Sequence, residues 1–229
     1  MRAVKSAIVL ALSAILAGAG ARAAETPAGK EAPAKTAPAA SPKEKLKDPA
    51  ALKEQSPETF RVRFETSKGD FVVEVTRAWS QNGADRFYNL VKSGYFDDVR
   101  FFRVVSNFVV QFGIHGTPEI ARAWQTANIQ DDPVKESNKK GYLTYAKSGR
   151  PNSRTTQLFI NLKDNTSLDS QGFSPFGKAI EGMEVVEKLN GEYGDTLTSL
   201  QGQIVEQGNA FLAQKAPNLD FIKTAKVAK

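Results

Sequence analysis

Phe60, Val62 and Phe64 alternate with Arg61, Arg63 and Glu65, and the alternation resumes at Phe71, Val73 and Val75 after Ser67-Lys68-Gly69-Asp70. Side chains of a strand point to opposite faces in turn, so this period of two requires one buried and one wet face. Two such runs joined by a Gly-containing turn predict a β-hairpin. At Ala84, Phe87, Leu90 and Val91 the spacing switches to that of a helix, and Gly94 is placed to end it in a left-handed conformation. Short apolar runs follow at Phe101–Val105, Phe108–Phe112, Tyr142–Ala146 and Leu158–Leu162. Further helices are expected around Met183 to Leu189 and near Asn209 to Lys215, before Pro217. Many short strands, few helices and frequent Gly turns predict a mainly β fold, a closed antiparallel barrel with helices over its ends.

The region before Glu58 has a different character. Arg2 and Lys5 precede an uncharged apolar stretch from Ala7 to Ala17, and Ala21-Arg22-Ala23 fits a small-residue cleavage site. That order reads as a secretory signal peptide over 1–23. Its apolar part is well short of the ~20 residues that span a bilayer, so no membrane span is expected in the mature protein. Residues 24–57 hold Pro27, Pro33, Pro38, Pro42, Pro49 and Pro57 among Ala, Lys and Glu, with Leu46 and Leu52 the only large aliphatics. Such a segment offers little apolar surface to offset its ordering entropy, so it is expected to be a disordered tether. A helical turn around Leu46 to Leu52 fits its residues. The remainder, 58–229, reads as one domain with a helical extension from about 204 to 229.

Composition removes several chemistries. With no cysteine, thiol nucleophiles, disulfides and zinc fingers are excluded, and a single histidine, His115, rules out a multi-His metal site. A hydrolase would have to use His115, but Gly113-Ile114-His115-Gly116 is no nucleophile elbow and no G-x-S-x-G occurs. The net charge of +6 is spread among acids, without the basic and aromatic ladder that nucleic acid requires. No nucleic-acid partner, metal or cofactor is expected, and nothing calls for more than a monomer.

The stretch from Phe101 to Gln111 carries the chemistry. Arg103 interrupts an apolar run, and as a strand residue it shares a face with Phe101 and Val105. A charge on an apolar face is either paired within the wall or exposed at the rim of a pocket. Phe108 and Gln111 lie just past the turn Ser106-Asn107. An apolar floor, an arginine and an amide suit a ligand with a carbonyl beside a hydrophobic ring; a salt-bridged arginine in a barrel wall is the other reading.

Phe101-Phe102-Arg103-Val104-Val105, then Phe108-Val109-Val110-Gln111-Phe112-Gly113, resembles the cyclophilin signature F-H-R-hydrophobic-hydrophobic followed by P-G-F-hydrophobic-x-Q-G-G. The resemblance continues, in family order, through Gly94-Tyr95-Phe96-Asp97, Gly141 to Ala146, Pro151 to Ile160, Leu168-Asp169, Phe176-Gly177 and Gly182 to Val186. It covers about Phe60 to Leu189. It implies an eight-stranded barrel capped by two helices, here with an extra C-terminal helix, and peptidyl-prolyl cis/trans isomerase activity on proline-containing polypeptides. Position by position it implies that Arg103 is the catalytic arginine, Phe108 the aromatic against the proline ring, and Gln111 the amide that fixes the substrate backbone. Val109 and Phe159 become pocket walls and Leu168 its aliphatic lid. Ala146 and Lys147 fall on the strand that pairs with bound peptide, and Phe102, Gln157 and Phe173 complete the substrate-binding set. F-G-I-H-G, T-T-Q-L-F-I and the tail Glu206 to Phe211 are similar to an exported bacterial branch.

The sequence departs from the family at several places. Ser106-Asn107 replaces Pro-Gly, Leu158 replaces a phenylalanine, and Ser167 stands where many members have a tryptophan that contacts cyclosporin, which predicts weak cyclosporin binding. These losses leave a second reading in view, a non-catalytic proline-binding periplasmic chaperone or adaptor.

Overall fold

The computed structural model describes residues 42 to 228, so the expected signal peptide over 1–23 and most of the expected tether lie outside the described residues. Eight strands build one sheet: β1 (Thr59–Thr66), β2 (Gly69–Thr76), β3 (Arg103–Val105), β4 (Val109–Phe112), β5 (Tyr142–Tyr145), β6 (Leu158–Asn161), β7 (Pro175–Glu181) and β8 (Ile222–Val227). Their order across the sheet is β3-β4-β6-β5-β7-β2-β1-β8, every pairing antiparallel. The α-helices among the described residues are α1 (Pro42–Lys45), α2 (Gln81–Lys92), α3 (Pro118–Gln125), α4 (Met183–Glu187) and α5 (Gln201–Lys215).

The predicted hairpin forms in the expected register, with Phe64 opposite Phe71 and Val62 opposite Val73. Phe64 and Phe71 stack at 4.6 Å between ring centres. On the wet face, Arg61 pairs with Glu74 across the strands at 3.0 Å. The buried row joins Phe87 and Leu90 of helix α2 (Gln81–Lys92), Phe96, Phe112, Leu143, Ile160 and Phe176 in the main core. Gly94 takes φ +71°, the left-handed stop expected after α2.

The barrel is not closed as expected. No ladder joins β3 to β8; the sheet curls, and the gap is spanned by one isolated bridge, Arg100 to Phe221, with Phe101 N–H donating to the Asp220 carbonyl at 3.0 Å. β3 is three residues long and ends before it could pair further. The expected helical extension is also revised. Helix α5 (Gln201–Lys215) starts earlier than 204, and the chain then turns back as β8 against β1, with Phe64 opposite Ala225.

Two further corrections concern the ends of the fold. The expectation of a tether reaching residue 57 fails at Leu46, which is 1% exposed in the main core, where its carbonyl accepts a 2.7 Å bond from Trp124 Nε1. Ser56 likewise docks, its N–H and hydroxyl both donating to Asp85 Oδ1 at 2.9 Å. One leucine and a set of backbone bonds anchor this stretch where average composition predicts none. Trp124 belongs to helix α3 (Pro118–Gln125), which packs on α5 over a second core of Phe102, Ile114, Ala121, Leu197, Ile204, Val205, Phe211 and Leu212.

Gly208 sits at a break inside α5, with φ 63° and ψ −149°, and a Cβ there would lie 2.1 Å from the Gly116 carbonyl oxygen. That backbone region is nearly glycine-only and costs another residue about 1–3 kcal/mol before any clash. Gly208→Ala should therefore lower stability by at least about 2 kcal/mol, read as an earlier urea midpoint at unchanged slope.

Candidate active site

The site is built on the outer face of the sheet, away from the main core. Val110, Phe112, Leu158, Ile160, Leu143 and Tyr145 point into the core, which sends Val109, Gln111 and Phe159 to the other side. Register then lines up Arg103 on β3, Gln111 on β4, Phe159 on β6 and Thr144 on β5 as one cross-strand row. The β3–β4 turn works because Asn107 adopts φ 54°, a left-handed conformation that asparagine tolerates.

Arg103 does not share a face with Phe101. The strand begins only at Arg103; Phe101 joins Val104 in the main core, whereas Phe102 enters the second core at 1% exposure. Phe102 therefore contributes to packing under α5 and is not presented to a ligand. Arg103 itself is half-buried. Its Nη1 donates to Gln111 Oε1 at 3.1 Å, its Nε to Asp195 Oδ1 at 2.5 Å, and its guanidinium carbon lies 5.4 Å from the centre of the Phe108 ring. The amide row continues from Gln111 Nε2 to Gln157 Oε1 and from Gln157 Nε2 to Gln201 Oε1, each at 2.9 Å. A cavity of about 420 Å³ runs beside this row, lined by Gln111, Ala146, Lys147, Thr156, Gln157 and Gln201 among others.

The apolar residues expected at the site lie outside the lining of that cavity: Phe108, Leu168 and Phe173 are half-buried, and Val109 and Phe159 are buried. Phe159 and Phe173 meet edge to face at 5.8 Å, and Lys147 Nζ lies 5.6 Å from the Phe173 ring centre. Ala146 and Lys147 follow β5, which ends at Tyr145, so the expected pairing strand is a loop here; Ala146 N–H is engaged by the Gln157 carbonyl at 2.9 Å. Ser167 is exposed in the short 3₁₀ helix Thr166–Gln171 that also carries Leu168.

A buried amide network that the motifs do not reveal supports these residues. Asn138 and Asn161 are fully buried. Asn138 Nδ2 donates to Asp169 Oδ1 and to the Phe173 carbonyl, each at 2.8 Å. Asn165 Nδ2 donates to the Phe108 carbonyl and to Asn161 Oδ1, each at 2.9 Å. The backbones of Phe108 and Phe173 are thus tied to one polar cluster. A polar residue among apolar runs was its only sequence signal.

The model of the family described as "Cyclophilin type peptidyl-prolyl cis-trans isomerase/CLD" matches residues 61–207. The chain belongs to the cyclophilin-type peptidyl-prolyl cis-trans isomerases. It is 33% identical to a Streptomyces antibioticus peptidyl-prolyl cis-trans isomerase over 57% of this chain and 82% of that one. Peptidyl-prolyl cis-trans isomerase B of Escherichia coli is 30% identical over 57% and 84%. A solved Cryptosporidium parvum cyclophilin shares the fold at TM-score 0.55 and 20% identity, covering 75% of this chain and 98% of its own. That cyclophilin has also been solved in the presence of the dipeptide Ala-Pro.

Three carboxylates around the cyclophilin fold make its stability acid-sensitive. Burial pushes Asp85, Asp132 and Asp169 upward, but hydrogen bonds outweigh it and hold all three below the ordinary value: Arg77 and Ser56 on Asp85, Ser80 and Arg154 on Asp132, Ser137 and Asn138 on Asp169. Groups lowered on folding stabilise the native state above their unfolded value, about 3.9, and lose that contribution as pH falls through the native value. Thermal unfolding followed by circular dichroism should show a steady Tm from pH 7 to 5 and a steep fall below pH 4.

Proposed function

We propose that this cyclophilin accelerates rotation about X-Pro bonds in exported polypeptides, with Arg103 as the electrostatic centre. Resonance sets a barrier of ~18–20 kcal/mol for that rotation, and no bond to another atom has to form or break. Catalysis therefore needs only a grip on the proline ring and a preference for the twisted state over both planar ones. Twisting returns a lone pair to the proline nitrogen. A guanidinium donor aimed there interacts more strongly in the twisted state than in either ground state. The observation that carries the reading is the placement of Arg103 over the Phe108 ring, bonded to Gln111 on the neighbouring strand. Phe108, Val109, Phe159 and Leu168 supply the grip, and Gln111 orients the carbonyl.

Magnetisation-exchange NMR on an Ala-Pro peptide tests the activity directly. Accelerated cis/trans exchange supports it; binding of the peptide without acceleration favours the non-catalytic adaptor, for which Leu158 and Ser167 are the motivating departures. The compartment rests on the sequence of 1–23 and is tested separately by the N-terminus of the protein recovered from an envelope fraction, expected at Ala24.

A further inference from the structure

We propose that Asp195 is a positioning residue for Arg103, setting the plane in which its guanidinium meets the substrate; this rests on the reading of Arg103 as the catalytic group. A guanidinium carries five N–H donors in one plane, so fixing two of its nitrogens fixes its orientation. Gln111 takes Nη1 and Asp195 Oδ1 takes Nε. The Phe108 ring lies against the same group, and no bond from Nη2 is found among the described residues. The edge carrying Nη2 is therefore the one left for a ligand.

Asp195 is 62% exposed, yet its backbone is not loose. Its carbonyl accepts from Thr198 N–H at 2.9 Å, Thr196 N–H bonds the Tyr193 carbonyl at 2.9 Å, and Leu197 anchors the loop in the second core at 2% exposure. A few residues on, Gln201 holds the other end of the row through Gln157 and Gln111. The stretch from 195 to 201 thus grips the arginine from two directions, one direct and one relayed. No cyclophilin motif quoted above includes it.

An exposed ion pair contributes little to folding stability, so the role of Asp195 is to be sought in rate. Small misplacements of a catalytic group are costly to a reaction that depends on aim. Asp195→Ala should lower kcat about tenfold with KM within about twofold and Tm unchanged. Asp195→Asn keeps an acceptor for Nε and should recover most of the rate. The Arg103 Nε–H cross-peak in a ¹⁵N spectrum should shift and broaden in Asp195→Ala and stay sharp in Asp195→Asn. Wild-type activity should fall with ionic strength, and that of Asp195→Ala should not. If Arg103→Ala is inactive while Asp195→Ala turns over like wild type, or faster, the positioning role is overturned and the reading of Arg103 stands. If Arg103→Ala itself remains fully active, that underlying reading is what fails.

Discussion

Arg103→Ala should lower kcat/KM for an Ala-Pro peptide by about 10²–10³-fold, the loss seen when one preorganised donor to a developing charge is removed. The expectation follows from chemistry that asks only for grip and one directed donor. Phe108, Val109, Phe159 and Leu168 remain in the variant, so peptide binding measured by chemical-shift titration should change little. The loss then falls on kcat. Folding should be unaffected, because Arg103 is half-buried at a sheet edge and its one carboxylate partner, Asp195, is exposed. Arg103→Lys separates charge from geometry. Lysine keeps the positive charge, but cannot bond Gln111 and Asp195 together in one plane, so its activity should lie near that of the alanine variant. Wild-type exchange rates in Arg103→Ala would sink the mechanism.

Arg154→Met should have the largest effect on stability, about 3–5 kcal/mol, because it strands a buried carboxylate. Arg154 is 1% exposed. Its Nη2 donates to Asp132 Oδ2 at 3.0 Å and to the Gln130 carbonyl, its Nη1 to Ser80 Oγ at 3.3 Å, and its Nε lies 3.3 Å from Asp131 Oδ1. Methionine replaces much of the volume, so the cost is that of Asp132 left beside Ser80 without its counter-charge. A fall in Tm on the order of 10 °C is expected for a domain of this size. Asp132→Asn added to Arg154→Met should recover part of it, since the amide needs no cation; a double variant as unstable as the single one would show that lost packing dominates.

Motif and periodicity made the outer row legible. The β1–β2 hairpin, the stop at Gly94 and the alignment of Arg103, Gln111 and Phe159 all depend on local pattern and on register, which the sequence carries. Other features depend on contacts far along the chain. The family signature placed Phe102 in the site, but an irregular backbone before β3 turns it into the second core. Leu46 looked like linker, and one tryptophan 78 positions away holds it. β8, with Lys223, Thr224 and Lys226 among few apolar residues, has too weak an alternation to read as a strand until β1 is beside it. Asp195 and Asn138 are polar residues in loops, and only their partners give them meaning.

The pairing of β1 with β8 sets an order of events during synthesis. Val62 meets Val227, so the first of the eight strands waits for the eighth. Until then one edge of β1 is bare, and such non-local pairings form late and leave sticky intermediates in the meantime. The loop holding Asp195 and the helix holding Gln201 also emerge after the segments that carry Arg103, Gln111 and Gln157. A growing chain therefore displays its arginine before it can aim it, and its own X-Pro bonds must be set while that site is still incomplete.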